Sequence, residues 1–315
     1  MDLSIIIVNR NTKGLLLDCV ASVYKTVPPL SFEVIVVDNA SSDGSVEELK
    51  RSFPGVECIR NSANLGFAKA NNQAIRRSAG RYVALLNTDT VLTPGALDTI
   101  VKFMDADGKA GISGGQLLNG DGSLQNSIAN IPTLATELLN KSLLKLLFPK
   151  RYPGKKNRLQ QPTEVESVIG ACMVVSRKAM EKTGLLDESY FFFLEETDWC
   201  LAMRKNGFKV FFHPGASIYH LQGQTAKKNL AAARVEYWKS RYVFFAKHYS
   251  PFSNAVLKAG LLLRLCLSIV LQLLASASPK TRGRLSVNWK LLLWHIKGRP
   301  GGWGLEGPLR AVKPA

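Results

Sequence analysis

The chain has 315 residues, 46% hydrophobic and 21% charged, which excludes a disordered chain and supplies one large core or two modest ones. Its formal net charge is +17, but residues 223–315 hold 16 of the 41 Lys and Arg side chains and, of the 24 acids, only Glu236 and Glu306. The basic character therefore belongs to a tail, and either an anionic membrane surface or a nucleic acid suits such a tail.

Short β-branched runs at Leu3–Val8, Phe32–Val37, Val56–Arg60 and Tyr82–Leu86 predict strands buried on both faces. Between them, Leu15, Leu16, Cys19, Val20 and Val23, and then Phe67, Ala70, Ala74 and Ile75, recur at helical spacing. Strand and helix alternate, which predicts a parallel sheet. In such sheets ligands bind beyond the carboxyl ends of the strands. Here those ends read Asn9-Arg10-Asn11, Asp38-Asn39-Ala40-Ser41-Ser42-Asp43-Gly44, Asn61 through Asn64-Leu65-Gly66, and Asn87-Thr88-Asp89. One polar end is an ordinary turn. Four in succession, two of them with carboxylates, predict one polar crevice.

Further along, Gly111 to Gly115 precede a hairpin signal at Asn119-Gly120-Asp121-Gly122. A helical pattern covers Leu134–Leu147, and the basic cluster Lys150, Arg151, Lys155, Lys156 and Arg158 predicts a mobile loop. An apolar strand over Val168–Val175, a helix over Arg177–Thr183 and the segment Phe191-Phe192-Phe193-Leu194-Glu195-Glu196-Thr197-Asp198 follow. A helix is expected from about Thr225 to Tyr249, and Ala259–Ala277 is nearly all apolar apart from Arg264 and Gln272. A spanning helix needs about 20 apolar residues, and a central Arg costs roughly 2.5–3.5 kcal/mol there. With Trp289, Trp294 and Trp303 set among Lys290, Lys297 and Arg299, the tail reads as helices lying on a membrane surface. Its aromatics sit among long aliphatic runs, which suits lipid better than stacked bases, so no nucleic-acid partner is expected.

The five cysteines (Cys19, Cys58, Cys172, Cys200, Cys266) are odd in number and unpaired in pattern. Met1-Asp2 leads straight into an apolar run too short for a signal peptide. Both point to the cytoplasm, with peripheral association at the inner face of the cell membrane.

A nucleotide diphosphate is negative, and a divalent cation clamps it through carboxylate and amide oxygens. Asn87 and Asp89 supply that oxygen set after a buried strand; equally, Asp89 alone is a residue type that caps a helix beginning near Thr93-Pro94. The chemistry gains weight from the ordered blocks around it. These are Ser4 to Arg10, Val37 to Ser45, Asn64-Leu65-Gly66-Phe67-Ala68 with Asn71-Asn72, Leu85 to Asp89, Gly170-Ala171-Cys172-Met173, and Glu195-Glu196-Thr197-Asp198. Together they resemble family 2 inverting glycosyltransferases, in a rhamnosyltransferase-like branch of bacterial cell-surface polysaccharide assembly, over about residues 1–250.

The resemblance implies an α/β GT-A fold, and the tail read above adds a C-terminal helical, membrane-associated extension. The expected division is a catalytic domain over 1–222 (donor half about 1–115, acceptor half about 116–222), an aromatic and basic helix over 223–250, and membrane-associated helices over 251–315. The resemblance also implies donor binding by Asn9, Arg10, Asp38, Asn39, Asn64, Gly66, Asn87 and Arg241, with Arg241 and Lys247 matching basic residues near the donor diphosphate or a lipid-diphosphate acceptor. Mg²⁺ or Mn²⁺ would rest on Asp89, with Asn87 where many members carry the first Asp of D-x-D, and on His220; His213 is the substitute. Gly170, Ala171 and Cys172 would line the acceptor cleft, Cys172 as a packing residue. Inversion needs a base for the acceptor hydroxyl, and the matching acids are Glu195 and Glu196, with Glu196 the expected base and Asp198 a nearby candidate. The aromatic run Phe191–Phe193 would form a water-poor wall. The implied partners are a nucleotide-diphosphate sugar, dTDP-L-rhamnose foremost, a glycan or polyprenyl-diphosphate-linked acceptor, and an anionic membrane.

Three rival readings differ in class. A dinucleotide oxidoreductase needs G-x-G-x-x-G after the first strand, where Asn9-Arg10-Asn11-Thr12-Lys13-Gly14 stands. A sugar nucleotidyltransferase needs a Gly-rich, Arg-containing loop there. A non-catalytic nucleotide-sugar-binding scaffold stays open, against the intact acids Glu195, Glu196 and Asp198.

Overall fold

A computed structural model describes residues 1–27, 30–148, 159–221, 229–275 and 278–306. The basic cluster between Lys150 and Arg158 lies outside the described residues, as do both ends of the expected 225–249 and 259–277 helices that fall at 225–228 and 276–277. In chain order the elements are β1 (Leu3–Asn9), α1 (Lys13–Thr26), β2 (Phe32–Asn39), α2 (Ser45–Ser52), β3 (Glu57–Asn61), α3 (Phe67–Ile75), β4 (Tyr82–Asn87), β5 (Thr90–Leu92), α4 (Ala96–Ala106), β6 (Ala110–Leu118) and β7 (Ile128–Ala129). They continue as α5 (Leu134–Leu138), α6 (Lys141–Leu147), β8 (Thr163–Glu164), β9 (Ser167–Val168), β10 (Cys172–Ser176), α7 (Arg177–Thr183), α8 (Glu195–Lys205) and β11 (Lys209–His220). Three helices close the chain: α9 (Leu230–His248), α10 (Pro251–Leu274) and α11 (Pro279–Ile296).

The elements group into two compact units. One takes its described residues from Met1–Ile131, Lys155–Glu188 and Glu195–Gln224; the other from Pro132–Gly154, Ser189–Leu194 and Thr225–Ala315. Pro132–Gly154 and Ser189–Leu194, expected in the acceptor half, thus group with the C-terminal helices.

The first unit is built on a sheet of order β3-β2-β1-β4-β10-β6-β11-β5, with β8 paired to β11. β3, β2, β1 and β4 are parallel, as the four β-branched runs predicted. The sheet then becomes mixed, because β10 runs antiparallel to both β4 and β6 and β5 antiparallel to β11. Alternation divides the core between two faces. Ile5 and Ile7 pack with Leu16, Val20 and Val23 of α1 and Ile100 of α4, all buried. Ile6 turns the other way, to Ala70 and Ala74 of α3 and Trp199 and Met203 of α8. Each such aliphatic side chain contributes about 1.5–3 kcal/mol on burial.

Two expected elements are interrupted. The Val168–Val175 run is β9 and β10 separated by Ile169–Ala171, and the Leu134–Leu147 pattern is α5 and α6 separated by Leu139-Asn140. In the second case Asn140 caps α6 by accepting from the Ser142 N–H at 2.8 Å, a turn signal that the apolar periodicity masked. The hairpin at Asn119–Gly122 forms as expected, with Asn119 N donating to Ser123 O at 2.8 Å.

In the second unit, Ser250-Pro251 and Ser278-Pro279 start α10 and α11, each Ser capping the helix whose first residue is Pro. Leu257, Leu261, Leu265 and Ile269 form the buried stripe of α10. Leu263, Leu267, Leu271 and Leu274 are exposed, and two residues further along a helix is a rotation of about 200°, onto the opposite face. The two interruptions in the apolar run are both engaged within the unit. Gln272 Oε1 accepts from Asn288 Nδ2 of α11 at 3.1 Å, and Arg264 Nη1 donates to the Glu137 carbonyl at 2.6 Å. α10 is long and apolar enough, by length and composition, to cross a membrane, and it is the one such helix among the described residues.

Candidate active site

The crevice begins where β1 and β2 end. Asn9 pairs in register with Asp38, and its Nδ2 donates to Asp38 Oδ1 at 2.9 Å and to Ser41 Oγ at 3.1 Å. Asn9 Oδ1 accepts from Thr12 Oγ1 at 2.8 Å. These bonds make Asn9 a brace for Asp38, and its Oδ1 keeps one further lone pair. Asp38 Oδ2 accepts from the Ser41 N–H at 2.9 Å; both carboxylate oxygens keep further lone pairs. Asn11 and Ala40, just past the two strands, adopt φ of 52° and 60°. Left-handed backbone at Ala40 costs roughly 1–2 kcal/mol and concentrates strain at the strand ends, a feature common at functional loops.

Asn39 joins the second loop to the third: its Nδ2 donates to Gly66 O at 3.1 Å, and its Oδ1 accepts from Asn61 Nδ2 at 3.0 Å. Gly66 N donates to Asn64 Oδ1 at 3.2 Å. Gly66 has φ 84° and ψ 178°, a conformation essentially closed to residues with a Cβ. The structure therefore links Asn9 with Asp38, and Asn39 with Asn64 and Gly66, in two hydrogen-bonded groups joined by the Asp38–Asn39 peptide. Arg10 follows directly on β1, and partial burial draws its guanidinium below the usual pKa.

The acidic end lies across the sheet. β5 pairs with β11 so that His220 stands opposite Thr90, one residue beyond Asp89, and Leu221 N donates to the Asp89 carbonyl at 2.8 Å. His220 Nε2 lies 3.4 Å from Asp89 Oδ1, both side chains about nine-tenths buried. Gln125 fixes the ring. Its Nε2 donates to Asn119 Oδ1 at 2.9 Å and to the His220 carbonyl at 3.0 Å, which leaves Oε1 as the acceptor facing His220 Nδ1 at 2.6 Å. The hydrogen-bond network thus makes Nδ1 a donor to Gln125 and leaves Nε2 facing the Asp89 carboxylate.

A carboxylate oxygen and an imidazole Nε2 at that distance would hold a divalent cation between them, with Gln125 as the outer-shell partner that metal-binding histidines generally have. Among the described residues no three His, Cys, Asp or Glu side chains stand close enough to hold a metal. Asp89 and His220 then suit a cation that completes its shell with substrate phosphates and water, as Mg²⁺ commonly does. Gln125 had no signal in the sequence, because it reaches His220 only through the Asn119–Gly122 hairpin. Gln125→Leu is expected to weaken Mn²⁺ binding about 10–100-fold, measured by paramagnetic titration of the full chain, and to lower the melting temperature, because it leaves the buried His220 Nδ1 and the His220 carbonyl without this partner.

The base side connects to this end through the backbone. Asn87 N donates to the Ala171 carbonyl at 3.0 Å, and Cys172 pairs with Leu86 in register. Gly170 lies against Glu196: a Cβ built on it would come 3.4 Å from both Glu196 Cβ and Cγ. Glu195, Glu196 and Asp198 all fall in the first turn of α8. Glu195 and Asp198 are buried, whereas Glu196 is partly exposed. Glu196 is therefore the most accessible of the three acids. Gly170→Val is expected to lower kcat by displacing Glu196 while leaving nucleotide affinity unchanged, a split read directly from kcat and from nucleotide titration.

Burial pushes the Cys172 thiol up to about 12, which suits the packing role expected of it. His213 packs edge-on to Phe103, ring centroids 5.3 Å apart. Arg241 and the aromatic run belong to the second unit. Arg241 Nη1 pairs with Glu137 Oε2 at 3.1 Å, and Phe193 packs on Tyr237, centroids 5.7 Å apart.

Residues 4–184 match the description of glycosyl transferase family 2. Among curated proteins, the chain is 27% identical over 270 residues, 81% of its length and 87% of the relative's, to an N-acetylglucosaminyl-diphospho-decaprenol L-rhamnosyltransferase of Mycobacterium tuberculosis. It is 29% identical over 216 residues, 66% of its length and 64% of the relative's, to the low-salt glycan biosynthesis hexosyltransferase Agl10 of Haloferax volcanii. Among solved structures, the mannosyltransferase PcManGT from Pyrobaculum calidifontis, in complex with GDP-Man and Mn²⁺, superposes with a TM-score of 0.56 at 15% identity, over 94% of this chain and 86% of that one. GalNAc-T7 with UDP, GalNAc and Mn²⁺ gives 0.54 at 17% identity, over 78% of this chain and 50% of that one. The chain belongs to glycosyl transferase family 2 and is an inverting glycosyltransferase of GT-A fold that takes its sugar from a nucleotide-diphosphate donor.

Proposed function

We propose that the chain transfers a hexose, with L-rhamnose from dTDP-L-rhamnose as the leading donor, to a polyprenyl-diphosphate-linked saccharide during cell-surface polysaccharide assembly. The mycobacterial relative, named for transfer of L-rhamnose to a decaprenyl-diphosphate-linked sugar, supports both the donor and the acceptor class. The observation that carries the reading is the pairing of an Asp89–His220 cation seat with Glu196, linked through Asn87, Ala171 and Gly170.

In this reading Asp38, held by Asn9 and Ser41, binds the nucleoside, and the Gly66 loop closes its pocket. Mg²⁺ or Mn²⁺ held by Asp89 and His220 would neutralise charge on the donor diphosphate. Glu196 takes the proton from the acceptor hydroxyl as its oxygen bonds to the anomeric carbon; the bond from that carbon to the diphosphate oxygen breaks on the opposite face, and the electron pair leaves with the diphosphate. Gly170, lacking a side chain, leaves room for the acceptor beside Glu196. The exposed leucines of α10 and the basic tail hold the chain peripherally on the anionic inner face of the cell membrane.

A thermal-shift panel of nucleotide diphosphates and their sugars, with Mn²⁺ or with chelator, tests the donor half. Ligand at a hundredfold excess over its Kd stabilises by about 2.7 kcal/mol. A shift with dTDP or UDP that needs Mn²⁺ is expected. Binding without any sugar transfer to any acceptor would favour the non-catalytic scaffold.

A further inference from the structure

The second unit contains a cavity of about 640 Å³ between α5, α9 and α10, whose charged lining is Glu137, Arg234, Arg241 and Arg264. Three guanidinium groups thus face one carboxylate. Glu137 is committed to Arg241, at 3.1 Å, and Arg241 is further held between the rings of Tyr237 and Trp238, its guanidinium carbon 4.8 and 4.9 Å from their centroids. That leaves the charges of Arg234 and Arg264 without a carboxylate partner among the lining residues. The Arg241 Nε–H is buried and has no acceptor among the described residues, although its side chain is only 8% exposed. An orphaned, buried charged donor is costly unless an anion meets it. The Arg234 guanidinium is drawn below its ordinary pKa by burial and then by the like charges of Arg241 and Arg264, which is the electrostatic signature of an anion seat. Asn140 and Tyr237 add polar groups to the wall.

Arg264 lies on α10, beside the exposed leucines Leu263 and Leu267. The arginine that breaks the apolar run therefore faces this cavity while its neighbours face outward. We propose that the cavity binds the diphosphate of a prenyl-linked ligand, Arg234 and Arg264 taking the phosphate oxygens and the exposed α10 face meeting the lipid chain. Planar guanidinium forks match phosphate oxygens bidentately, and the cavity lies within the roughly 300–1,000 Å³ range of small-ligand sites. The assignment rests on the lipid-linked acceptor proposed above and, of the two places expected for Arg241, favours the lipid-diphosphate acceptor over the donor diphosphate.

The full chain in detergent is titrated with farnesyl diphosphate and, separately, with inorganic pyrophosphate, following tryptophan fluorescence. Wild type is expected to bind farnesyl diphosphate more tightly than pyrophosphate, and Arg234→Gln/Arg264→Gln to bind it at least about tenfold more weakly, two charge-assisted contacts being lost. Arg264→Gln removes the bond to the Glu137 carbonyl, so thermal melts accompany the titration, and the Mn²⁺-dependent nucleotide shift, which belongs to the first unit, should hold. Unchanged farnesyl diphosphate affinity in the variant overturns the proposal, and so does pyrophosphate binding as tight as that of farnesyl diphosphate, which would mark a free-anion site. The acceptor reading fails separately: it falls if wild type transfers sugar only to soluble glycans while the prenyl diphosphate still binds and is lost in the variant.

Discussion

Glu196→Gln is expected to lower kcat by about 10²–10⁴-fold, the usual contribution of a positioned general base, with nucleotide affinity within about twofold of wild type if Glu196 acts only on the acceptor. The amide keeps the size of the side chain and removes the proton-accepting charge. Glu196 is partly exposed at the start of α8, so the change leaves the core intact. Glu195→Gln and Asp198→Asn alter buried groups and are expected to act through stability first, lowering the melting temperature before they touch kcat. Initial rates of nucleotide-diphosphate release, beside thermal melts of the three variants, separate these cases. Equal turnover by Glu196→Gln and wild type would remove Glu196 as the base.

The second large effect is expected at Asp89. Asp89→Asn should weaken Mn²⁺-dependent nucleotide-diphosphate binding by at least about 100-fold, since loss of an outer-shell partner alone costs 10–100-fold and Asp89 would be an inner ligand. Its neighbourhood makes the variant informative. The Asp89 carbonyl still accepts from Leu221 N and the β5–β11 register is untouched, so strand pairing survives the loss of charge. Calorimetric titration with and without Mn²⁺ reads the effect. Gln125→Leu should give a smaller loss in the same direction, and the ranking of the two separates a direct ligand from a residue that orients His220.

The parallel half of the sheet was legible because Ile5, Ile6 and Ile7 and their counterparts are buried on both faces, and a continuous apolar run leaves little else for such a segment to be. The antiparallel β10 and β5 were not legible. Their placement depends on partners far along the chain, Leu86 for Cys172 and His220 for Thr90, and strand order leaves no local mark. In the site, Asp38, Asp89, His220 and Glu196 stood out as residue types suited to the chemistry. Gln125 did not, and neither did the bracing role of Asn9, since both follow from which atoms meet in space. Asn9 at a strand end stood out as a donor contact, and its bonds to Asp38, Ser41 and Thr12 add a bracing role that the residue type alone does not announce. Arg264 illustrates the same limit. Counted along the sequence it is a penalty in an apolar helix, and in the fold it donates to the Glu137 carbonyl beside a cavity rich in arginine.

The central claim is that one cation seat and one base, both in the first unit, carry sugar transfer from a nucleotide diphosphate. A crystal structure of the chain with a nucleoside diphosphate and Mn²⁺, using anomalous scattering to locate the metal, tests it most directly. The account predicts an anomalous peak within bonding distance of both an Asp89 carboxylate oxygen and His220 Nε2, with the diphosphate completing the shell and the nucleoside against Asp38. A peak that touches neither residue, or a nucleotide bound away from the ends of β1, β2 and β4, would contradict it.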